Sequence, residues 1–198
     1  MLDRIMGVIT LKAPIYRQIA DDKTATTQAA IIVIVAELVS GFFQRLVEIN
    51  PQTGGATVSL LGAILGAIVT VIVALIAWVI SAWVLAFVAK ALGGKTDIGE
   101  MLRVTGYVEV FSLIGVLAVL SLITPALLCV VGIIGFIVAI LRLIGYVIGV
   151  REAAEFSTTN AIITSIIAAV VNFVIFLVIG GVLFGLVAGA AFVAGAGG

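Results

Sequence analysis

Three ionisable side chains interrupt otherwise apolar sequence: Glu37 in "IIVIVAELVSGFF", Glu109 in "TGYVEVFSLIG" and Arg142 in "GFIVAILRLIGYV". At the centre of a bilayer each such group costs around 2.5–3.5 kcal/mol unless it is paired or hydrated. Two carboxylates and a guanidinium could relay a proton or an ion. They could equally pair and fix the register of the helices that carry them, or Arg142 could snorkel to the interface. Asn172, in "AAVVNFVIF", suits an interhelical hydrogen bond better than a ligand bond. Histidine is absent and cysteine is single, so zinc sites, Ser-His-Asp arrangements and His-ligated haem are excluded within this chain, and no cofactor or metal is expected. "GGKT" at 93–96 has the ending of a phosphate loop, but its required first glycine is Ala89 and it follows a long apolar run instead of a strand, so a polar turn is expected there.

The elements that must carry these groups follow from composition. With 64% hydrophobic residues, 10% charged residues and mean hydropathy +1.42, the chain is far more apolar than a soluble domain, in which about a quarter of residues are charged. A polytopic membrane protein is expected, all-α, forming one domain over residues 1–198. About 20 apolar residues cross a hydrocarbon core of roughly 30 Å. On that rule five spans are predicted, at about 26–46, 58–89, 104–124, 126–150 and 161–191, the third and fourth divided at Pro125. The second run is charge-free over 32 residues, roughly 48 Å of helix, so it must tilt, bend or begin at the interface. Leu2, Ile5, Met6 and Ile9 recur at helical spacing, predicting a short amphipathic helix on the membrane surface that ends near Pro14 within a cytoplasmic segment 1–25. Asp3, Arg4, Lys12, Pro14 and Arg17 break up the region where a leader's apolar core would lie, so no cleaved leader is expected. Cys129 lies in an apolar run and is expected to be a small buried hydrophobe.

Orientation follows from the cations. With the N-terminus inside, Arg4, Lys12, Arg17, Lys23, Lys90, Lys95, Arg103 and Arg151 are cytoplasmic and only Arg45 is outside, which predicts an exoplasmic C-terminus. Trp83, Tyr107 and Tyr146 then fall near the cytoplasmic boundary. Antiparallel spans three and four would bring Glu109 and Arg142 to one depth, and Glu37 could reach Arg142 if span one packs beside span four. "STTN" after Arg151, Glu152 and Glu155 offers caps for the last helix. Gly62 and Gly66, Gly145 and Gly149, and Gly181, Gly185 and Gly189 repeat every fourth residue, giving helix faces without side chains that allow close helix approach, within the bundle or toward a partner helix.

Two segments resemble the signature regions of the Yip family (Ypt-interacting, YIP-domain proteins). The first is "GGKTDIGEMLRVTGYVEV", with Gly93 and Gly94 after a long run and an amphipathic turn leading to Gly106 and Tyr107. The second is "GYVIGVREAAEFSTTNAIITSII", with Gly149, Arg151 and Glu152 followed by Ser157 and by Ala161, which opens the last span. The family usually has a proline shortly after the tyrosine; "YVEVFSLIG" has none and carries Glu109 nearby. The resemblance implies five spans and a cytoplasmic N-terminus, in agreement with the residue-based reading. Eukaryotic members are associated with vesicle traffic and Rab-type GTPases through long N-terminal regions. Only about 25 residues precede the first apolar run here, so the resemblance implies a prokaryotic member in a bacterial plasma membrane, without that role.

Two function classes follow. One is a non-enzymatic scaffold or accessory subunit whose partners are lipids and other integral membrane proteins. The other is a small transporter or channel using Glu37, Glu109 and Arg142. The absence of an inverted repeat, paired helix breaks and a continuous polar stripe favours the scaffold. A net charge of zero gives no basis for nucleic-acid binding.

Overall fold

The computed structural model describes residues 1–49, 56–124, 126–174 and 177. In chain order these form α1 (Leu2–Ile9), α2 (Ala13–Asp21), α3 (Ala25–Leu46), β1 (Val47–Ile49), β2 (Ala56–Val58), α4 (Leu60–Ala91), α5 (Ile98–Val108), a 3₁₀ helix (Glu109–Leu122), α6 (Leu127–Ala154) and α7 (Thr158–Val174). Three helices, α3, α4 and α6, are long and apolar enough to cross a membrane, and α7 is a shorter apolar helix. The architecture is the expected all-α bundle.

α3 is the central helix. It packs against α4, the 3₁₀ helix and α5, and Ala25, Ala29, Ile32, Val33 and Ala36 are all buried. On α4 and α6 large apolar side chains such as Ile68, Ile72, Ile76, Phe136 and Ile140 face outward. Such surface belongs against lipid or another apolar partner. Cys129 also lies on the outer surface; the expected burial is corrected, because this end of α6 leaves most of its circumference uncovered.

Local chemistry sets the helix ends. Ser59 caps α4 by accepting from the Gly62 backbone N–H at 3.1 Å. α5 opens with a capping box, in which Asp97 accepts from the Glu100 N–H (2.7 Å) and Glu100 accepts from the Asp97 N–H (3.2 Å). Ser157 Oγ accepts from the Asn160 N–H at 3.2 Å at the start of α7, and the Arg151 guanidinium approaches the Thr158 hydroxyl at 3.4 Å. α4 ends at Gly93, whose φ of +86° is a left-handed value that favours glycine, with the Gly94 N–H returning to the Ala89 carbonyl.

Several local features differ from the sequence expectation. The amphipathic start is two helices: α1 ends at Ile9, with Leu11 beyond it at a left-handed φ of 55°, and Pro14 lies in the first turn of α2, where its missing N–H costs nothing, so the proline begins the second helix and does not end the first. Between α3 and α4 the chain forms a short antiparallel pair, with Val47 opposite Val58 and Ile49 opposite Ala56. The run predicted as one helix over 104–124 divides at Glu109, where α5 tightens into 14 residues of 3₁₀ helix. At about 2.0 Å per residue these cover roughly 28 Å, close to a full hydrocarbon thickness, against about 21 Å as α-helix. Pro125 lies outside the described residues, as do Gly181, Gly185, Gly189 and the far part of the predicted fifth span.

Candidate functional site

The ionisable residues of the apolar runs converge. Glu109, at the junction of α5 and the 3₁₀ helix, is buried. Its carboxylate is ion-paired with the Arg142 guanidinium of α6. It also accepts a hydrogen bond from the Tyr146 hydroxyl at 2.6 Å and one from the Ser112 hydroxyl at 3.1 Å. Arg142 and Tyr146 are four residues apart on one helix face, and the guanidinium carbon lies 5.8 Å from the ring centroid. Glu37 of α3 is half-buried and interacts electrostatically with Ser112, Glu109 and Arg142. Two carboxylates, one guanidinium and two hydroxyls thus share one locus between α3, the 3₁₀ helix and α6. Arg142 pairs with Glu109 directly, whereas Glu37 makes no ion pair of its own among the described residues.

A second polar layer lies where α1, α2, α5 and the ends of α4 and α6 meet. Arg17 of α2 binds the end of α6 twice, donating to the Glu152 carbonyl at 2.9 Å and pairing with Glu155 at 2.8 Å, and it also pairs with Asp21 at 2.7 Å. Glu155 holds a left-handed φ of 54° just after α6. Arg151 and Glu152 pair with each other at 2.6 Å. Arg103 is buried and donates to the Ala20 carbonyl at 2.8 Å. Tyr16 is fully buried with its hydroxyl on the Val8 carbonyl (3.1 Å), and burial pushes its phenol pKa well up. Asp22 accepts from both the hydroxyl (2.7 Å) and the N–H (2.9 Å) of Thr24 and pairs with Arg4 at 2.7 Å; the Thr24 hydroxyl first, then Arg4, hold its pKa down to about 2.

The glycines divide by what they touch. A Cβ on Gly145 would meet the Tyr16 hydroxyl at 3.0 Å, and one on Gly149 would meet Val104 at 3.3 Å, so this face of α6 admits α2 and α5. A Cβ on Gly66 would strike the Arg45 stem. Gly62 is half-buried beside Arg45 and Gly66 in a shallow surface depression. The quoted motif residues have structural duties as well. Gly93 supplies the left-handed turn. Gly94 lies against Ala154, letting the Lys95 N–H reach the Ala154 carbonyl at 2.9 Å, and this ties the first motif to the second. Gly106 admits Ala29 and the Trp78 ring to within 2.8 Å of where a Cβ would be. Tyr107 is fully buried and hydrogen-bonds Gln28. Ala161 is fully buried at the start of α7.

Sequence reasoning missed Ser112 as a cluster member, Tyr16, the burial of Arg103 and the double contact of Arg17. A hydroxyl three residues after Glu109 and a tyrosine four after Arg142 were visible signals of helical neighbours. Asn172 borders a cavity with Ser81, Arg142 and Tyr146, so it shares a wall with two of the residues that hold Glu109.

A bundle of apolar helices with outward aliphatic faces and its charges gathered inside and at one end is an integral membrane protein. The Yip1 domain family model matches residues 6–180 of the 198, and the chain belongs to that family. Comparison with curated proteins and with solved structures returned no match.

Proposed function

We propose that this protein is a non-enzymatic scaffold or accessory subunit that packs against other integral membrane proteins and lipids. The observation that carries the reading is the polar cluster: Glu109 is held by Arg142, Tyr146 and Ser112, which joins α6 to the 3₁₀ helix, while large apolar faces of α4 and α6 stay open. Membership of a family that is generally non-enzymatic supports it. In this reading the chain crosses a bacterial plasma membrane five times, with its N-terminus inside and its C-terminus outside. The clustering of Arg4, Lys12, Arg17, Lys23, Lys90, Lys95, Arg103 and Arg151 around the α1–α2–α5 end, with Arg45 at the other, favours that orientation. Gentle extraction from native membranes, native-gel separation and mass spectrometry of co-migrating chains tests the proposal. A stoichiometric larger complex is expected; migration alone or only with itself counts against it.

One observation favours a second reading, transport by Glu37, Glu109 and Arg142: the cluster holds two carboxylates for one guanidinium, leaving Glu37 available to a proton or cation. A liposome flux that disappears in Glu37→Gln would establish that alternative.

A further inference from the structure

The 3₁₀ helix carries a three-residue repeat. Glu109, Ser112, Gly115, Ala118 and Ser121 are the small or polar positions of "EVFSLIGVLAVLSL", and two larger apolar residues separate each from the next. A 3₁₀ helix turns about 120° per residue, so positions three apart eclipse and the repeat falls on one face. In an α-helix the same positions step back by about 60° each time and spiral around the axis. Only the observed winding gathers them into a single face.

That face meets α3. Ser112 donates to Glu109 at 3.1 Å and interacts with Glu37. One turn further, a Cβ on Gly115 would strike the buried Ser40 hydroxyl and lie 2.9 Å from Gln44 Nε2, which itself donates to Ser40 at 2.5 Å. Glu37, Ser40 and Gln44 are spaced to share one face of α3, and Gly115 is the gap that lets that face close on the 3₁₀ helix. In an α winding that starts from the same Glu109, Gly115 would point about 120° away, and Val116 would come within about 20° of the Glu109 direction. A valine would then stand where Ser40 now fits. The two windings therefore demand different spacings from α3. Long 3₁₀ runs are uncommon because their hydrogen-bond geometry is poorer than that of an α-helix, so the packed seam sustains this one.

We infer that residues 109–122 are a winding switch, 3₁₀ while Gly115 admits Ser40 and α when that fit is lost, with the far end drawn in by about 7 Å over the 14 residues. Glu109 is the fixed point, since Arg142 and Tyr146 hold it to α6. Val108 stays right-handed helical, at φ −66° and ψ −23°, so α5 runs into the segment without a break. Displacement of α3 would appear as movement at Ile123. The switch requires neither the scaffold nor the transport reading.

Spin labels at Ile98→Cys and Ile123→Cys, both exposed positions, in full-length protein lacking the surface thiol (Cys129→Ala) would measure the span by double electron–electron resonance in lipid nanodiscs. The protein carrying labels alone should give one long distance. Exchanging Gly115→Val with Val116→Gly leaves the composition unchanged and moves the gap to the face an α-helix would present, so the distance should shorten by up to about 7 Å. Gly115→Ala should also populate the short distance, and adding Ser40→Gly, which reopens the space, should restore the long one. An unchanged distance in the exchanged pair or in Gly115→Ala, a failure of Ser40→Gly to restore it, or a short distance with labels alone would each overturn the inference. If the exchanged pair does not fold, Gly115→Ala and its rescue decide; loss of the fold in both would mean that the segment has no α state to adopt, and would overturn it as well.

Discussion

Glu109 and Arg142 lie 33 residues apart in sequence and form an ion pair that joins the head of the 3₁₀ helix to the middle of α6. The carboxylate is buried, so the pair matters chiefly through what its loss would leave behind. A buried ion pair is weak evidence for stability in itself, whereas removing one partner strands the other.

Arg142→Leu is therefore expected to lower stability in mild detergent by about 3 kcal/mol, and the double variant Arg142→Leu/Glu109→Leu to recover a large part of that loss. Thermal unfolding of the three proteins checks it. Additive losses in the double variant would show that the two residues do not depend on each other.

Glycines on α5 and α6 should respond oppositely to alanine. At Gly106 the added methyl would lie 2.7 Å from the Ala29 Cβ and 2.8 Å from the Trp78 ring, so Gly106→Ala should cost about 1–3 kcal/mol. A Cβ on Gly132 or Gly135 would meet nothing within 4 Å among the described residues, and there alanine should be neutral or stabilise by roughly 0.5–1 kcal/mol. Melting temperatures of the single variants separate the two cases.

Asp22 gives a pH dependence of stated sign. Its folded pKa lies below the ordinary carboxylate value, at about 2, so its contribution is complete above the unfolded pKa near 3.8 and is lost as pH falls through the folded value. Between about pH 4 and pH 2 wild-type stability should fall more steeply than that of Asp22→Asn. Parallel acid-unfolding curves would contradict this.

Arg17 should act as a tether. Arg17→Met removes the contacts to the Glu152 carbonyl and to Glu155, and exchange of the α2 amides should accelerate while those of α3 change little. A loss of roughly 1 kcal/mol in local opening is expected, read by hydrogen exchange over residues 13–21.

The solvent in which this protein folds was legible from its residues alone. Long apolar runs can satisfy their backbone in a bilayer only as helices or a closed barrel, and the first two such runs are the helices α3 and α4. The cap at Ser157 was legible for a similar reason: a hydroxyl that satisfies a first-turn N–H acts over three residues and depends on no distant partner. The placing of Glu37, Glu109 and Arg142 in apolar surroundings narrowed the search for the polar centre in the same way. What tertiary structure decided was everything that depends on two segments meeting. Tyr146 and Ser112 join Glu109 because α6 and the 3₁₀ helix meet at one register, and the buried Arg103 finds its acceptor at the end of α2, 83 residues away in sequence. The winding of residues 109–122 belongs here too: a 14-residue 3₁₀ run has poorer hydrogen-bond geometry than an α-helix, so its support must come from its contacts with α3 and α6. Periodicity and capping are short-range properties of a chain; the depth and rotation at which two helices stop against each other are properties of the packed pair.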